Sequence, residues 1–191
     1  ASSIQLVLEE IILKICRSLR KEFNINNLCL AGGVALNCVA NGKIFSENIF
    51  KNIWIQPAAG DAGGSLGAAL AFWYKGLKNE RIVASYNNDS MNGSYLGPEF
   101  KNEEIKNFLD NNSNHYEFYE NEELISKVAK LISEQNVIGW FQGKMEFGPR
   151  ALGNRSILGD PRNKKMQSTI NQKIKFREGF RPFAPVIKSE D

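Results

Sequence analysis

Apolar residues recur at helical spacing from the start of the chain. Ile4, Val7, Leu8, Ile11, Ile12, Ile15 and Leu19 fall three or four positions apart, which predicts an amphipathic helix. Ser2 and Gln5 are placed as a capping box at its start, and Arg17, Arg20 and Lys21 gather near its end, where cations suit the helix dipole. Two short apolar runs follow, Leu28-Cys29-Leu30 and Ile53-Trp54-Ile55, each expected as a strand. The first runs into Gly32-Gly33 and a helix expected to reach Phe45. The second passes Pro57 into AAGDAGGSLGAAL, a small-residue helix expected to extend to about Tyr74. Two successive strand, glycine turn and helix units predict an α/β fold.

Past Lys78 the periodicity fades, and Asn87, Asn88, Asp89, Asn92 and Gly93 read as a polar linker. We therefore expect a first domain over residues 1–85, a linker over 86–98 and a second domain over 99–191. In that second domain helices are expected over 103–109 and 122–132, the latter with Leu124, Ile125, Val128, Leu131 and Ile132 on one stripe. Val137, Ile138, Trp140 and Phe141, ahead of Gly143, predict a short buried strand. Residues 163–174 predict a helix, and 182–187 a short apolar segment.

Composition narrows the function classes. With 42% hydrophobic and 24% charged residues the chain is of ordinary globular composition, and no apolar run approaches the roughly 18 residues that span a bilayer. The start lacks a basic region followed by an apolar core, so a cytoplasmic protein without membrane association is expected. Cys16, Cys29 and Cys38 are odd in number and lack CxxC spacing, which predicts reduced core thiols. The one histidine, His115, sits in a polar stretch and is expected at the surface, so a histidine-centred active site is not expected.

Charge changes the picture more. Residues 143–181 carry ten Lys or Arg against three Asp or Glu in a chain whose net charge is +3, whereas residues 86–142 carry four basic and ten acidic ones. Lys144, Arg150, Arg155 and Arg162 are punctuated by Gly148-Pro149, Gly153 and Gly159. One reading is a convergent clamp for phosphate or carboxylate; the other is a set of solvated loop charges or ion-pair partners of Glu146 and Asp160. Two further positions carry paired readings. Gly32-Gly33 serves either close approach of a phosphate or a tight connection, and Asp61 is either a helix N-cap or a hard-oxygen ligand for metal or ribose at a strand's carboxyl end.

LAGGVALN, PAAGDAGGSLGAAL, YLGPEF, GKMEFGPRALGNRSILGDPR and FREGFRPFAP, in this order, closely resemble the O-carbamoyltransferases of the NodU and CmcH type. The resemblance runs nearly end to end, and MEFGPRALGNRSIL is its most discriminating block. It implies a partial actin/Hsp70-like ATPase domain followed by a partial YrdC-like α/β domain. It also implies a two-step reaction in which carbamoyl phosphate and ATP give carbamoyl-adenylate, whose carbamoyl group passes to a hydroxyl-bearing small-molecule acceptor. On that resemblance Lys144, Arg150, Arg155 and Arg162 clamp phosphates, while Gly32, Gly33, Asn37, Gly63 and Gly64 contact the nucleotide. Asp61 matches the family's carboxylate ligand for a divalent metal, Fe or Mg. Family members complete that metal site with an upstream HxxxH segment, which this chain lacks, so upstream and downstream segments of the same protein are expected as partners. The alternative readings are an RNA-binding YrdC-like module, a sugar-kinase-like ATPase and a non-catalytic fragment. RNA is not expected, because aromatics are not interleaved with the arginines as stacking platforms.

Overall fold

Two separate two-stranded ladders organise the chain, one parallel and one antiparallel. The computed structural model describes residues 2–82 and 89–190, so the expected boundary between 85 and 86, and Tyr86, Asn87 and Asn88 of the linker, lie outside the described residues. The chain divides into one unit of Ala1–Leu96 with Glu146–Arg150 and another of Gly97–Met145 with Ala151–Asp191.

The first unit opens with α1 (Ser2–Phe23), then β1 (Asn27–Leu30), a 3-10 turn at Gly33–Leu36, α2 (Cys38–Ser46), β2 (Asn52–Ile55) and α3 (Asp61–Ala71), which runs on as a π-helical turn, Phe72–Gly76. The strands pair in parallel, Leu28 opposite Ile53 and Leu30 opposite Ile55, as a strand, helix, strand connection allows. Leu13, Cys16, Leu28, Ile44 and Phe50 form the core, with Ile12, Leu30, Ile49 and Ile53 packed against it.

Several expectations change here. The buried face of α1 is Glu9, Leu13 and Cys16, while Ile4, Val7, Ile11, Ile15 and Leu19 are exposed. The apolar positions of α1 surround the helix, and periodicity alone does not say which face packs. Gln5 does not close a capping box with Ser2; its amide bonds Glu9 and Asn37 instead. The helix expected to run unbroken to Phe45 is interrupted at Asn37, whose extended backbone ends the 3-10 turn and whose Oδ1 accepts from Ala40 N at 3.1 Å to start α2. Of the three free thiols only Cys16 is buried, and burial raises its pKa; Cys29 and Cys38 are exposed because Cys29 lies on the outward side of β1 and Cys38 starts α2.

The second unit contains α4 (Asn102–Asn111), α5 (Asn121–Ser133), β3 (Ile138–Phe141), β4 (Arg155–Leu158) and a short α6 (Met166–Thr169), followed by a π-helical turn at Ile170–Ile174. Strands β3 and β4 are antiparallel, with Phe141 opposite Arg155 and Ile138 opposite Leu158. β3 is half-buried rather than buried, since Gly139 and Phe141 face outward. Helix over 163–174 begins only at Met166, because Asn163 forms an Asx turn, its Oδ1 accepting from Lys165 N at 2.9 Å. Residues 182–187 have no regular structure, and Val186 and Ile187 are exposed.

Adjacent glycines of α3 separate packing from open space. A Cβ at Gly63 would lie 2.0 Å from the Ala58 carbonyl oxygen, whereas one at Gly64 would meet nothing within 4 Å. Gly63→Ala should therefore destabilise the protein by about 1–3 kcal/mol. Gly64→Ala should be neutral or stabilising by up to about 1 kcal/mol, as alanine favours helix. Denaturant unfolding of the two variants checks this, and equal effects would contradict it.

Candidate functional site

In the first unit both strands deliver their chains to glycine turns. Gly32 has φ +97 and ψ 161, a conformation that strongly favours glycine, and its N–H donates to the Ala59 carbonyl at 2.7 Å, tying the exit of β1 to that of β2. No atom lies within 4 Å of where a Cβ would stand on Gly32 or Gly33. That open backbone, followed by the Asn37 cap, fits the close approach of a nucleotide phosphate or ribose. Gly64 also faces open space, but Gly63 is held by packing on Ala58.

Asp61 is the first residue of α3, and Gly60 occupies the cap position, so the N-cap reading of Asp61 does not hold. Its exposed carboxylate lies in the first turn, where negative charge suits the helix dipole. Among the described residues no three of His, Cys, Asp and Glu gather as a metal set. Within this chain the donor set is thus one carboxylate, which does not by itself fit a tight divalent metal site.

The chain re-enters this unit at Glu146–Arg150. Phe147 N donates to Ser94 O at 2.7 Å. Gly148, at φ +126, lies so close to Pro57 and Ala58 that a Cβ would come within 3.2 Å of the Pro57 oxygen. Gly148 thereby seats the Gly-Pro-Arg turn on the loop that follows β2. Arg150 is exposed and makes no hydrogen bond or ion pair among the described residues.

The other three cations belong to the second unit, and the β3–β4 ladder separates two of them. Arg155 opens β4 opposite Phe141, at the Gln142-Gly143 corner. Its Nη1 donates to Gln142 O at 2.6 Å and Asn154 O at 3.0 Å, and its Nη2 to Gly143 O at 3.1 Å and Pro98 O at 3.4 Å. The guanidinium carbon lies 3.5 Å from the Phe141 ring centroid, and Phe100 packs on that ring at 6.3 Å. Asn154 Nδ2 donates to Lys144 O at 2.8 Å, which fixes the backbone of Lys144 while its side chain stays exposed.

Arg162 lies past the other end of β4. Its Nε bonds both oxygens of Asp160 at 2.9 and 3.0 Å, its Nη2 bonds one at 2.6 Å, and its backbone N–H bonds Oδ1 at 2.9 Å. Gln135 Nε2 adds a bond at 3.1 Å. The Asp160 side chain is 3% exposed and that of Arg162 74%, so a buried carboxylate anchors a cation that reaches into solvent. The Arg162 guanidinium, then its backbone N–H, hold Asp160 well below the usual carboxylate range, at about 2, against the opposing effect of burial. Arg155 and Arg162 lie at opposite ends of β4, a strand of four residues or roughly 10 Å. Strand β4 itself had no expectation from sequence; its signal was the short run Ser156-Ile157-Leu158 between Gly153 and Gly159.

Comparison with known proteins places the chain. Residues 1–70 match the model of the carbamoyltransferase N-terminus and residues 129–191 that of the carbamoyltransferase C-terminus. Over its whole length the chain is 58% identical to an uncharacterised protein of Synechocystis sp., covering 31% of that relative. It is 41% identical to nodulation protein NolO of Bradyrhizobium diazoefficiens over its whole length, covering 34% of NolO. With nodulation protein U of Rhizobium fredii the identity is 32% over 84% of this chain and 24% of the relative. The chain thus spans about a third of the length of the first two relatives. Both family models match in chain order and together cover most of the sequence, and on that ground the chain belongs to the carbamoyltransferase family.

Proposed function

We propose that this chain is part of an ATP-dependent O-carbamoyltransferase, in which carbamoyl phosphate, water and ATP give carbamoyl-adenylate, phosphate and pyrophosphate, and the carbamoyl group then passes to a hydroxyl of a small-molecule acceptor. The observation that carries the reading is the ordered match to the N- and C-terminal carbamoyltransferase models. In this reading the first unit is the carboxyl part of an actin/Hsp70-like ATPase domain, and the second begins a YrdC-like domain.

Each unit then has its own task. The open backbone at Gly32 and Gly33 receives the nucleotide, with Asn37 and Gly64 beside it and Arg150 as an exposed cation of the same unit. Gly63 serves by packing rather than by contact. Arg162, held by Asp160, presents a fixed positive edge to a phosphate through a charge-assisted bond. Arg155 shapes the corner that displays Lys144, since its Nη donors are directed at four backbone carbonyls. Cations placed before the reaction stabilise charge that grows on phosphate oxygens as the carbamoyl carbon changes partners. In transfer, the acceptor oxygen bonds that carbon, loses its proton, and AMP leaves.

Carbamoyl-phosphate-dependent release of pyrophosphate from ATP, measured on the full-length protein, tests the assignment. Arg162→Ala should lower it by about 10- to 100-fold per folded molecule, and should also lower the unfolding midpoint, because it strips the buried Asp160 carboxylate of its main donor. Arg155→Ala should lower the unfolding midpoint too, because it leaves a corner of carbonyls without their donor. Unchanged pyrophosphate release in Arg162→Ala would remove Arg162 from the site.

The anchor itself titrates. The folded-state pKa of Asp160 lies below the ordinary 3.8, so its stabilising pairing is fully present above that value and is lost as pH falls through about 2. A carboxyl-carbon NMR titration should place the Asp160 midpoint near 2 in the parent. In Arg162→Ala it should move back toward 3.8, and a midpoint unmoved by that substitution would contradict the pairing.

A further inference from the structure

A chain of hydrogen bonds runs from the packed face of α1 to the turn after β1. Glu9, an acid, is only 4% exposed because it sits on the side of α1 that meets the core. Lys43 of α2 forms an ion pair with its Oε2, and Gln5, one turn earlier on α1, donates Nε2 to its Oε1 at 2.7 Å. Gln5 in turn meets Asn37 amide to amide: Asn37 Nδ2 donates to Gln5 Oε1 at 2.8 Å, and Gln5 Nε2 reaches Asn37 Oδ1 at 3.2 Å. Asn37 Oδ1 also accepts from Ala40 N.

The orientation of both amides is dictated from the two ends. At one end a backbone N–H, which can only donate, requires the oxygen of Asn37 to face Ala40. At the other an ionised carboxylate, which can only accept, requires the NH2 of Gln5 to face Glu9. Lys43 first, and Gln5 second, lower the pKa of Glu9 and keep it ionised. The Asn37 amide is therefore locked with one N–H on Gln5 and its second N–H uncommitted among the described residues.

We propose that Gln5, Glu9 and Lys43 are positioning residues for nucleotide binding, which hold the Asn37 amide so that its uncommitted N–H is offered to an oxygen of the nucleotide at the Gly32-Gly33 turn. This rests on the reading that Asn37 contacts the nucleotide. The relay explains why an acid and an amide, Glu9 and Gln5, occupy a face of α1 that otherwise packs on the core. A purely structural role for the Glu9–Lys43 pair needs neither amide.

Steady-state kinetics of the full-length protein test the relay with Gln5→Met, which keeps length and loses the amide, and Glu9→Gln, which keeps shape and loses the charge. Both should raise KM for ATP by about five- to tenfold, leave kcat within about twofold, and leave KM for carbamoyl phosphate unchanged. Asn37→Ala should raise KM for ATP at least as much. Gln5→Met added to Asn37→Ala should have no further effect, since Gln5 acts through Asn37. If Asn37→Ala raises KM for ATP and neither Gln5→Met nor Glu9→Gln does, the relay is overturned while the assignment of Asn37 stands. An additive double variant overturns it as well. If Asn37→Ala leaves KM for ATP unchanged, the assignment of Asn37 fails and the relay with it. Thermal unfolding measured in parallel guards against loss of folded protein, which lowers apparent kcat without a selective change in KM for one substrate.

Discussion

Parallel pairing between β1 and β2 is the constraint on which the candidate nucleotide site depends. Because Leu30 stands opposite Ile55, both chains leave the ladder at the same edge, and everything encoded just after either strand is gathered there. The bond from Gly32 N to Ala59 O carries the pairing past the strands and joins the two exits. Parallel strands cannot be linked by a tight hairpin, so the intervening chain has to cross back, and α2 makes that crossing while covering the core through Ile44 and Ala40. The glycine turn, the Asn37 cap and the start of α3 are thus consequences of one register. Ligands of open α/β sheets sit at this edge for the same reason.

The second unit meets a different problem, a tight corner rich in backbone carbonyls. Gly143 at φ +47 and Gly153 at φ +113 let the chain turn; Gln142 N still donates to Asn154 O at 3.0 Å, but the oxygens of Gln142 and Gly143 have no backbone donor among the described residues. A single guanidinium satisfies them because its fork presents several donors in one plane, and its carbon stands 3.5 Å from the centroid of the Phe141 ring. A lysine in that place has neither the plane nor the spread of donors. Arg155 is in this sense part of the backbone of the corner.

Positive charge behaves unequally once folded. Arg162 is pinned to buried Asp160, Arg177 donates to the fully buried Asn171 at 2.6 Å, and Arg181 pairs with Glu178 at 2.7 Å. Asn171 also donates to the carbonyl of Arg181 at 2.8 Å, which straps the segment after the last helical turn. The excess of cations over residues 143–181 therefore does not act as one diffuse field. Some of it builds loops, and some is oriented by partners and left facing solvent.

Sequence alone determined most of the element types and their order, β4 excepted. Helical spacing marked α1, α4 and α5, short apolar runs marked β1, β2 and β3, and the glycine turns stood where strands end. These are local properties, fixed by the period of side-chain direction and the freedom of glycine. The motif blocks pointed to the family, which the comparisons then showed. Only tertiary structure decided which face of α1 is buried, because apolar residues surround that helix and the Glu9–Lys43 pair that marks the packed face joins residues far apart in sequence. It also decided that Gly63 packs while Gly64 stays open, since an Ala58 carbonyl from the preceding loop makes the difference. The fate of the arginines was likewise undecidable from their spacing. Whether a guanidinium meets a carboxylate, a carbonyl or solvent depends on the register of β3 against β4, and a strand only four residues long leaves that register to the packing around it.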